Sequence, residues 1–210
     1  MTSGVVIIGG GCHAKVVIES LRASGQAVAA IVDADPTPRT VLDVPVVGDD
    51  LKLAELREQG LSSLFVAIGD NRLREKLGRK GRELGFTLVN AIHPSAVISP
   101  TVRLGEGVAI MAGVAINADS QVEDLAIINT GAVVDHDCRL GAACHLGPAS
   151  ALAGNVTLGE RAFLGVGARV IPGVTIGADT IVGAGGVVVR DLPDGVLAVG
   201  VPVKIKGDRR

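Results

Sequence analysis

A six-residue repeat of aliphatic side chains dominates the second half of this sequence. Starting at Ile98, every sixth position up to Val188 is Ile, Leu or Val, with no break in phase. An α-helix has a period of 3.6 residues, whereas a sustained period of six is typical of hexapeptide β-helices. Three repeats would close one triangular coil of eighteen residues, and coils stacked at about 4.8 Å would bury the aliphatic side chains against each other. The sequence therefore predicts a left-handed parallel β-helix over residues 91–190.

The rest of the repeat fits the same interpretation. From Val102 to Thr180, the fourth residue after each aliphatic position is small or β-branched, which predicts a second inward-facing position. Glycine directly follows the aliphatic residue at positions 105, 141, 147, 159, 165, 177 and 183, and we attribute it to turns that need a permissive backbone. The chain has no Trp or Tyr and only three Phe, so its core must consist of Val, Ile, Leu and Ala, which suits narrow stacked strands.

The first ninety residues have a different pattern. Apolar runs at 5–8, 27–32 and 64–68 predict strands, and segments at about 13–23, 51–59 and 72–84 predict helices. Such alternation indicates an α/β unit with a parallel sheet, equivalent to half of a Rossmann fold. We therefore predict a Rossmann-like domain over residues 1–90, the β-helix over 91–190 and a C-terminal tail over 191–210.

The first strand is followed by a glycine fingerprint. Gly9, Gly11 and Ala14 form the pattern GxGxxA between the strand and the helix, and Asp33 ends the next strand. Amides at a helix N-terminus can hold a phosphate, and an acidic residue at the second strand can bind a ribose hydroxyl. Because the second mononucleotide half of a dinucleotide fold is missing, the diphosphate of a nucleotide fits better than NAD.

Other polar residues are predicted at the same edge of this sheet. His13 at the start of the helix could cap that helix or contact a ligand. Gly69, Asp70 and Asn71 follow a strand, so they could face the same ligand, or Asp70 or Asn71 could cap the next helix. The pattern leaves both alternatives open for each of these residues.

Charge and cysteine content exclude several classes of function. The net charge is −2 with acids and bases interspersed, so a nucleic-acid or anionic-membrane partner is not expected. There is neither a secretory signal nor an apolar run long enough to span a membrane, so we expect a cytoplasmic protein. Three cysteines without CxxC spacing indicate neither disulfides nor a metal site, and Cys138 and Cys144 are predicted to be buried.

A charged cluster, Asp135-His136-Asp137, interrupts the repeat directly after the inward Val134. Gly154 comes eighteen residues after His136, so its backbone should lie one coil above the imidazole. Acyl transfer needs both a base for the attacking group and a donor for the thioester oxygen, and these two residues could supply them. Either neighbouring aspartate could fix the tautomer of the ring.

Two more polar residues flank this cluster in the sequence. His145 lies half a coil beyond His136, so within one subunit it should face away and could reach the cluster only from a neighbouring subunit. Asn129 lies around one corner and could bind a polar group of a substrate. Each could equally be a solvated or interfacial side chain.

Motifs along almost the whole chain resemble one family. GGGCHAK, AIGDN, IHPSAVI, NTGAVVDHDC, AGNVTLG, FLGVGARVIPGVTIG and VGVPVK are similar to motifs of the bacterial sugar O-/N-acyltransferases of the sialic acid O-acetyltransferase type. The best-matching branch N-acetylates nucleotide-linked 4-amino-4,6-dideoxy sugars. The resemblance implies an acetyl-CoA-dependent N-acetyltransferase of polysaccharide biosynthesis, a homotrimer of left-handed β-helices that needs no metal and binds a nucleotide-linked amino sugar.

The resemblance also implies roles for particular residues. His136 would be the base, with Asp137 and Asp135 as its acidic neighbours, and Asp137 stands where the family often has Glu. Acetyl-CoA would be bound by Gly154, His145, Gly165, Pro202 and Lys204. The nucleotide sugar would be bound by Gly9, Gly11, Cys12, His13, Asp33, Asp35, Gly69, Asn71 and Asn129. Ala14 departs from the glycine that this branch commonly carries, which affects how closely a phosphate can approach.

Three alternatives to this interpretation can be compared with the sequence. The acceptor could be a hydroxyl, as in O-acetylation of a sialic acid. A zinc enzyme resembling γ-type carbonic anhydrase would need three histidines, but the coils supply only His136 and His145. A non-catalytic nucleotide-binding scaffold would not account for the His136 cluster aligned with Gly154.

Overall fold

The computed structural model describes residues 4–208. The chain divides into two compact units, one up to Pro94 and one from Ser95 onward. The first unit contains the predicted alternation of strands and helices. The second contains the repeat.

The first unit is a mostly parallel sheet with helices between its strands. Its elements in chain order are β1 Val5–Ile8, α1 Cys12–Ala23, β2 Val28–Val32, β3 Arg39–Val41, β4 Val44–Gly48, α2 Lys52–Glu58, β5 Ser63–Val66, α3 Asn71–Glu83, β6 Thr87–Leu88 and β7 Ala91–Ile92. The strand order is β3-β4-β2-β1-β5-β6, and only β3 and β4 pair antiparallel. Because β1, β2 and β5 are parallel, the loops that follow them lie at the same edge of the sheet.

The β3–β4 hairpin has no counterpart in the sequence prediction. Its turn residues, Leu42 and Asp43, both have positive φ angles, +48° and +66°, the backbone of a type I′ hairpin turn. Neither is glycine, and Pro45 lies within β4, so the usual signals of a hairpin are missing.

The second unit is a stack of very short parallel strands. Between residues 97 and 188 there are sixteen strands of two residues each: β8 Val97–Ile98, β9 Arg103–Leu104, β10 Ala109–Ile110, β11 Ala115–Ile116, β12 Gln121–Val122, β13 Ile127–Ile128, β14 Val133–Val134, β15 Arg139–Leu140, β16 His145–Leu146, β17 Ala151–Leu152, β18 Thr157–Leu158, β19 Phe163–Leu164, β20 Arg169–Val170, β21 Thr175–Ile176, β22 Ile181–Val182 and β23 Val187–Val188.

From β8 to β20, each of these strands pairs with the strand eighteen residues further along the chain. Val97 pairs with Ala115, Ala115 with Val133 and Val133 with Ala151, so every third strand belongs to the same sheet. Three sheets result, with the orders β8-β11-β14-β17-β20-β23, β9-β12-β15-β18-β21 and, for the third, β10-β13-β16-β19-β22. The predicted fold, an α/β unit followed by a left-handed parallel β-helix, is confirmed.

The interior of the β-helix follows the repeat closely. From Ile110 to Val188 every aliphatic position of the repeat is buried. The second inward position is also buried along this stretch, including Cys138 and Cys144 as predicted. Three hydroxyl side chains occupy such positions and are as deeply buried as their apolar counterparts: Ser120, Ser150 and Thr180.

Once in every six residues the coil turns through a left-handed backbone conformation. These corners have φ between +52° and +72°, and glycine occupies only some of them. The glycines that directly follow the aliphatic residue are needed for a different reason than predicted, because they are not at the positive-φ positions. A Cβ on Gly165 would lie 2.5 Å from the Ala184 nitrogen, so the next coil approaches too closely for a side chain.

The segment predicted as a tail forms a hairpin. Strand β24 (Val196–Gly200) pairs in parallel with β22, and β25 (Val203–Asp208) pairs antiparallel with β24. The turn between them contains a cis peptide bond at Val201–Pro202. The hairpin therefore continues one of the three sheets of the β-helix.

Across residues 4–208, none of the helices combines the length and the apolar character needed to cross a membrane.

Candidate active site

His136 and Asp137 form a close pair on the outside of the β-helix. They follow β14, and Asp137 occupies a left-handed corner with φ of +59°. Its carboxylate Oδ2 lies 2.8 Å from His136 Nδ1, and both side chains are 59% exposed. The aspartate therefore engages one ring nitrogen, and Nε2 is left to exchange a proton with a substrate.

The surroundings of His136 favour its protonated form. Its pKa is raised above the ordinary histidine value, first by the hydrogen bond to Asp137 and then by the charge of Asp135. A carboxylate that stabilises the imidazolium helps a base that accepts a proton during the reaction. The same shift means that a higher pH is needed to keep the ring neutral before the reaction begins.

Gly154 lies directly against the imidazole, as the register of eighteen predicts. A Cβ on Gly154 would come within 2.6 Å of His136 Cε1 and 2.7 Å of Nε2. The ring therefore occupies the space that a side chain would fill in the next coil. Only glycine accommodates this arrangement.

The backbone N–H of Gly154 is also available to a ligand. At the same position of some other repeats, the N–H donates to a side-chain oxygen, as at Glu106, Ala142 and Ala178. For Gly154, no acceptor is found in the part of the chain that the structure describes. The free Gly154 N–H thus lies beside the His136 ring. A thioester oxygen that develops negative charge there could accept a hydrogen bond from it.

Asp135 does not orient the ring, contrary to one of the two predicted possibilities. Its carboxylate Oδ1 accepts hydrogen bonds from Asn117 Nδ2 at 2.9 Å and from the His136 backbone N–H at 2.8 Å. These bonds lower the pKa of Asp135. Asp135 therefore fixes the backbone at His136 and contributes charge, whereas contact with the imidazole is made by Asp137.

Asn129 and His145 contact each other. Asn129 Nδ2 lies 3.2 Å from His145 Nε2, and Asn129 Oδ1 accepts from the Thr130 backbone N–H. The His145 ring packs edge-on against Phe163, with a centroid distance of 5.1 Å. His145 belongs to β16, and thus to a different sheet from β14 before His136. The structure pairs these two residues with each other rather than with the His136 cluster.

The remaining residues assigned to acetyl-CoA lie elsewhere on the β-helix. Gly165 is buried under the next coil, Pro202 is exposed in the β24–β25 turn, and Lys204 is exposed on β25. None of the three contacts the His136–Asp137 pair.

In the first unit, the glycine loop is tied to the end of β2. Gly9 has a φ of +101°, and the Gly10 N–H donates to Asp33 Oδ2. Asp33 Oδ1 accepts from the Asp35 N–H and pairs with Arg39 at 3.1 Å. Burial acts to raise the Asp33 pKa, but these bonds outweigh it and lower the pKa overall. Asp33 was predicted to bind a ligand. In the structure its carboxylate anchors the glycine loop.

Helix α1 begins at this loop without any capping side chain. Gly11 is its N-cap residue, and the first turn carries no acidic residue. Cys12, the first helical residue, is exposed, as is Asp35 beyond β2. Free N–H groups at a helix start attract anions such as phosphate.

His13 lies one residue further into α1 and does not act as a cap. Its Nε2 is buried without a hydrogen-bond partner. Burial, followed by the nearby charge of Arg74, lowers its pKa to about 4, so the ring is neutral at neutral pH. A buried polar atom without a partner is uncommon in proteins and marks a position where a ligand could supply one.

The loop after β5 is organised by Arg74, which the sequence analysis did not identify. Its fully buried guanidinium donates to the carbonyls of Ile68 and Gly69 and to Asn71 Oδ1. Asp70 caps α3 by accepting from the Leu73 N–H. In sequence, Arg74 is one of several charged residues on a polar helix, so no signal distinguished it.

Among residues 4–208, no three His, Cys, Asp or Glu side chains are grouped as metal ligands.

The fold and the site together define a class of protein, the β-helix acyltransferases. The PglD N-terminal domain family matches residues 4–80. PerB from Caulobacter crescentus, solved in complex with CoA and GDP-perosamine, is 84% identical over 99% of both chains, with a TM-score of 0.96. The acetyltransferase domain of PglB from Neisseria gonorrhoeae FA1090, solved with acetyl coenzyme A, is 38% identical over 98% of this chain and 100% of that one, with a TM-score of 0.91.

Curated relatives match over part of the chain. UDP-N-acetylbacillosamine N-acetyltransferase of Bacillus subtilis strain 168 is 40% identical over 113 residues, which is 51% of either protein. An uncharacterised protein of Acanthamoeba polyphaga mimivirus is 30% identical over 59% of this chain and 24% of its own length. The chain thus spans about half or less of these two relatives.

The chain belongs to the hexapeptide-repeat family of bacterial nucleotide-sugar N-acetyltransferases. The membership confirms the predicted class, an acetyl-CoA-dependent N-acetyltransferase of nucleotide-linked amino sugars.

Proposed function

We propose that this protein transfers the acetyl group of acetyl-CoA to the 4-amino group of a GDP-linked 4-amino-4,6-dideoxy sugar, of which GDP-perosamine is an example. The observation that carries the proposal is the 84% identity, over 99% of both chains, with PerB in complex with CoA and GDP-perosamine. The first unit would hold the nucleotide, and the outer surface of the β-helix would carry the reacting groups.

In the proposed reaction, the neutral amine attacks the thioester carbonyl carbon. A C–N bond forms, the C–S bond breaks, and the sulfur leaves as the CoA thiolate. His136 Nε2 takes the proton that the amine loses and Asp137 stabilises the resulting imidazolium, so the ring can return the proton to the departing thiolate. The Gly154 N–H donates to the thioester oxygen as negative charge develops on it.

Acetyl-CoA and the sugar would contact further residues of the β-helix. The exposed Pro202 and Lys204 and the tightly stacked coil at Gly165 are proposed to bind acetyl-CoA. The paired side chains of Asn129 and His145 are proposed to line the site, Asn129 towards the sugar and His145 towards the cofactor.

The nucleotide would be held at the edge of the sheet in the first unit. Gly11 and Cys12 offer backbone N–H groups at an uncapped helix start, which suits a diphosphate, and Gly9 is proposed to let the loop approach the ligand through its positive φ. The nucleotide would supply a hydrogen-bond partner to the free Nε2 of His13. Further contacts to the nucleotide are proposed for the loops after β2 and β5: Asp33, Asp35, Gly69 and Asn71.

The function is tested by offering the protein several acceptors. Acetyl-CoA would be incubated separately with GDP-, UDP- and dTDP-linked 4-amino-4,6-dideoxy sugars and with free sialic acid, and the acetylated product identified by mass spectrometry. We expect one acetyl group on the GDP-linked amino sugar. The matched control is a GDP-linked 6-deoxy sugar with a hydroxyl at C4, which should remain unmodified.

Other results of this experiment would contradict the proposal. Preferred acetylation of the UDP- or dTDP-linked sugar would refute the choice of nucleotide. Acetylation of sialic acid alone would show an O-acetyltransferase instead.

We also propose that the protein is a homotrimer. His145 lies on another sheet than the His136 cluster, so it can complete that site only from a second copy, and rotational symmetry would repeat such a contact around a closed ring. Light scattering should give a mass of about 64 kDa, three times the 21.2 kDa chain. A mass of one chain would contradict the trimer and the shared site together.

A cytoplasmic location is proposed on chemical grounds, because acetyl-CoA and nucleotide sugars are cytoplasmic metabolites. Fractionation of the producing cells would test it.

A further inference from the structure

Many turns of the β-helix close through a direct backbone hydrogen bond, and the turn that carries His136 closes through a side chain instead. In many coils the N–H of the second inward residue donates to the carbonyl three residues earlier, as from Ala132 to Asn129 and from Cys144 to Gly141. At the corresponding place the Cys138 N–H donates instead to Ser120 Oγ at 3.1 Å. Ser120 Oγ in turn donates to the Asp135 carbonyl at 2.8 Å.

The hydroxyl of Ser120 is thus inserted into the turn that contains His136 and Asp137. Ser120 is completely buried and lies one coil below Cys138. Its oxygen stands between the Cys138 N–H and the Asp135 carbonyl, whereas the equivalent donor and acceptor bond directly in turns such as that from Asn129 to Ala132. The bridge therefore ties together the backbone on the two sides of His136 and Asp137.

A second inward hydroxyl makes the same kind of bridge. Thr180 Oγ1 donates to the Pro193 carbonyl at 2.6 Å and accepts from the Val196 N–H at 3.2 Å. Burial alone does not produce such a bridge. The buried Ser150 donates to Gly147 O within its own turn, and that turn also keeps the direct bond from the Ser150 N–H to the Gly147 carbonyl.

We propose that Ser120 is a positioning residue for acetyl transfer: by bridging Asp135 and Cys138 it holds His136 and Asp137 in the geometry in which they pair above Gly154. The inference rests on the proposed function, in which His136 is the base. Ser120 itself is buried beneath the turn and touches no substrate.

The test is the Ser120→Ala variant, compared with the wild type in steady-state kinetics. Loss of the bridge lets the turn close directly and moves the imidazole, so we expect kcat to fall by about 10- to 100-fold, as when a side chain that orients a reacting group is removed. KM for acetyl-CoA should stay within about twofold. Ser120→Thr should restore kcat, because Thr180 makes the same bridge from an equivalent inward position.

A second readout does not depend on activity. The chain has four histidines, so the His136 ring signals can be assigned in NMR spectra by their absence in His136→Ala. Ser120→Ala should shift these signals and leave those of His13 and His93 unchanged. If His136→Ala proved fully active, the proposed base would be wrong, and the NMR shift would still decide whether Ser120 positions the ring.

Two control variants separate positioning from loss of stability. Ser150→Ala removes a buried hydroxyl that bridges nothing, and Thr180→Val removes the other bridge, so both should keep kcat even if they lower Tm. Should Ser120→Ala fail to fold, Ser120→Val replaces it, because valine already occupies inward positions 114 and 156 and cannot form the bridge. Full kcat with unmoved His136 signals in a folded Ser120→Ala or Ser120→Val variant would overturn the proposal, as would equal losses of kcat in the controls.

Discussion

Replacing His136 with alanine is expected to lower kcat by about 100- to 10,000-fold, the range typical of losing a general base. The amine must lose a proton while it attacks the thioester, and the imidazole paired with Asp137 is placed to accept it. The side chain is 59% exposed and fills no part of the core, so the fold and Tm should be unchanged. KM for acetyl-CoA should change little, because the ring is proposed to act on the acceptor.

The pH dependence provides an independent check of this assignment. A base works only when neutral, and the contact with Asp137 raises the pKa of His136. In the wild type, kcat/KM should therefore fall as pH is lowered through this raised pKa. Asp137→Asn, which keeps a residue tolerant of the left-handed corner, should move the fall to lower pH. A His136→Ala enzyme with full kcat at every pH would show that the base lies elsewhere or that none is needed.

Substituting Gly154 by alanine should reduce kcat by about 100-fold, the cost of displacing a reacting group by about 1 Å. The new Cβ would lie 2.6 Å from His136 Cε1, and side-chain contacts cannot be that short, so the ring must leave its position. The coil itself should accept the change, because Ala118 holds the equivalent position two coils below Gly154.

The double variant His136→Ala/Gly154→Ala identifies the cause of this loss. If Gly154→Ala acts by displacing the imidazole, adding it to His136→Ala should lower kcat only slightly further, because the two substitutions damage the same contact. Losses that multiply in the double variant would show that Gly154 acts independently of the ring. Circular dichroism melting of all three variants controls for stability.

The repeat made the β-helix predictable in unusual detail. Because each coil has the same number of residues, counting by six locates every strand and counting by eighteen locates its partner, so Gly154 could be aligned with His136 before any coordinates. The first unit was also predictable in outline, since apolar runs and glycines mark its strands and turns. Its β3–β4 hairpin was missed because the turn residues, Leu42 and Asp43, are ordinary residues in strained conformations.

The finer features of the site depend on side-chain directions, which counting cannot supply. Asp135 and Asp137 flank His136 symmetrically in sequence, yet only Asp137 reaches the ring, because the left-handed corner turns its side chain back. Arg74 looks like a solvent-exposed helical residue, and its burial results from three acceptors that come together only in the folded loop. In the same way, a serine within an apolar column gives no sign that it bridges a turn in the coil above.

The pairing of strands eighteen residues apart restricts how this half of the protein can change in length during evolution. Inserting or deleting one hexapeptide between His136 and Gly154 would rotate the glycine to another face of the prism and separate it from the imidazole. Adding or removing a whole coil beyond the site would leave every contact between the two residues intact. Related chains should therefore differ in length by complete turns outside this segment, and the number of coils can vary without altering the chemistry.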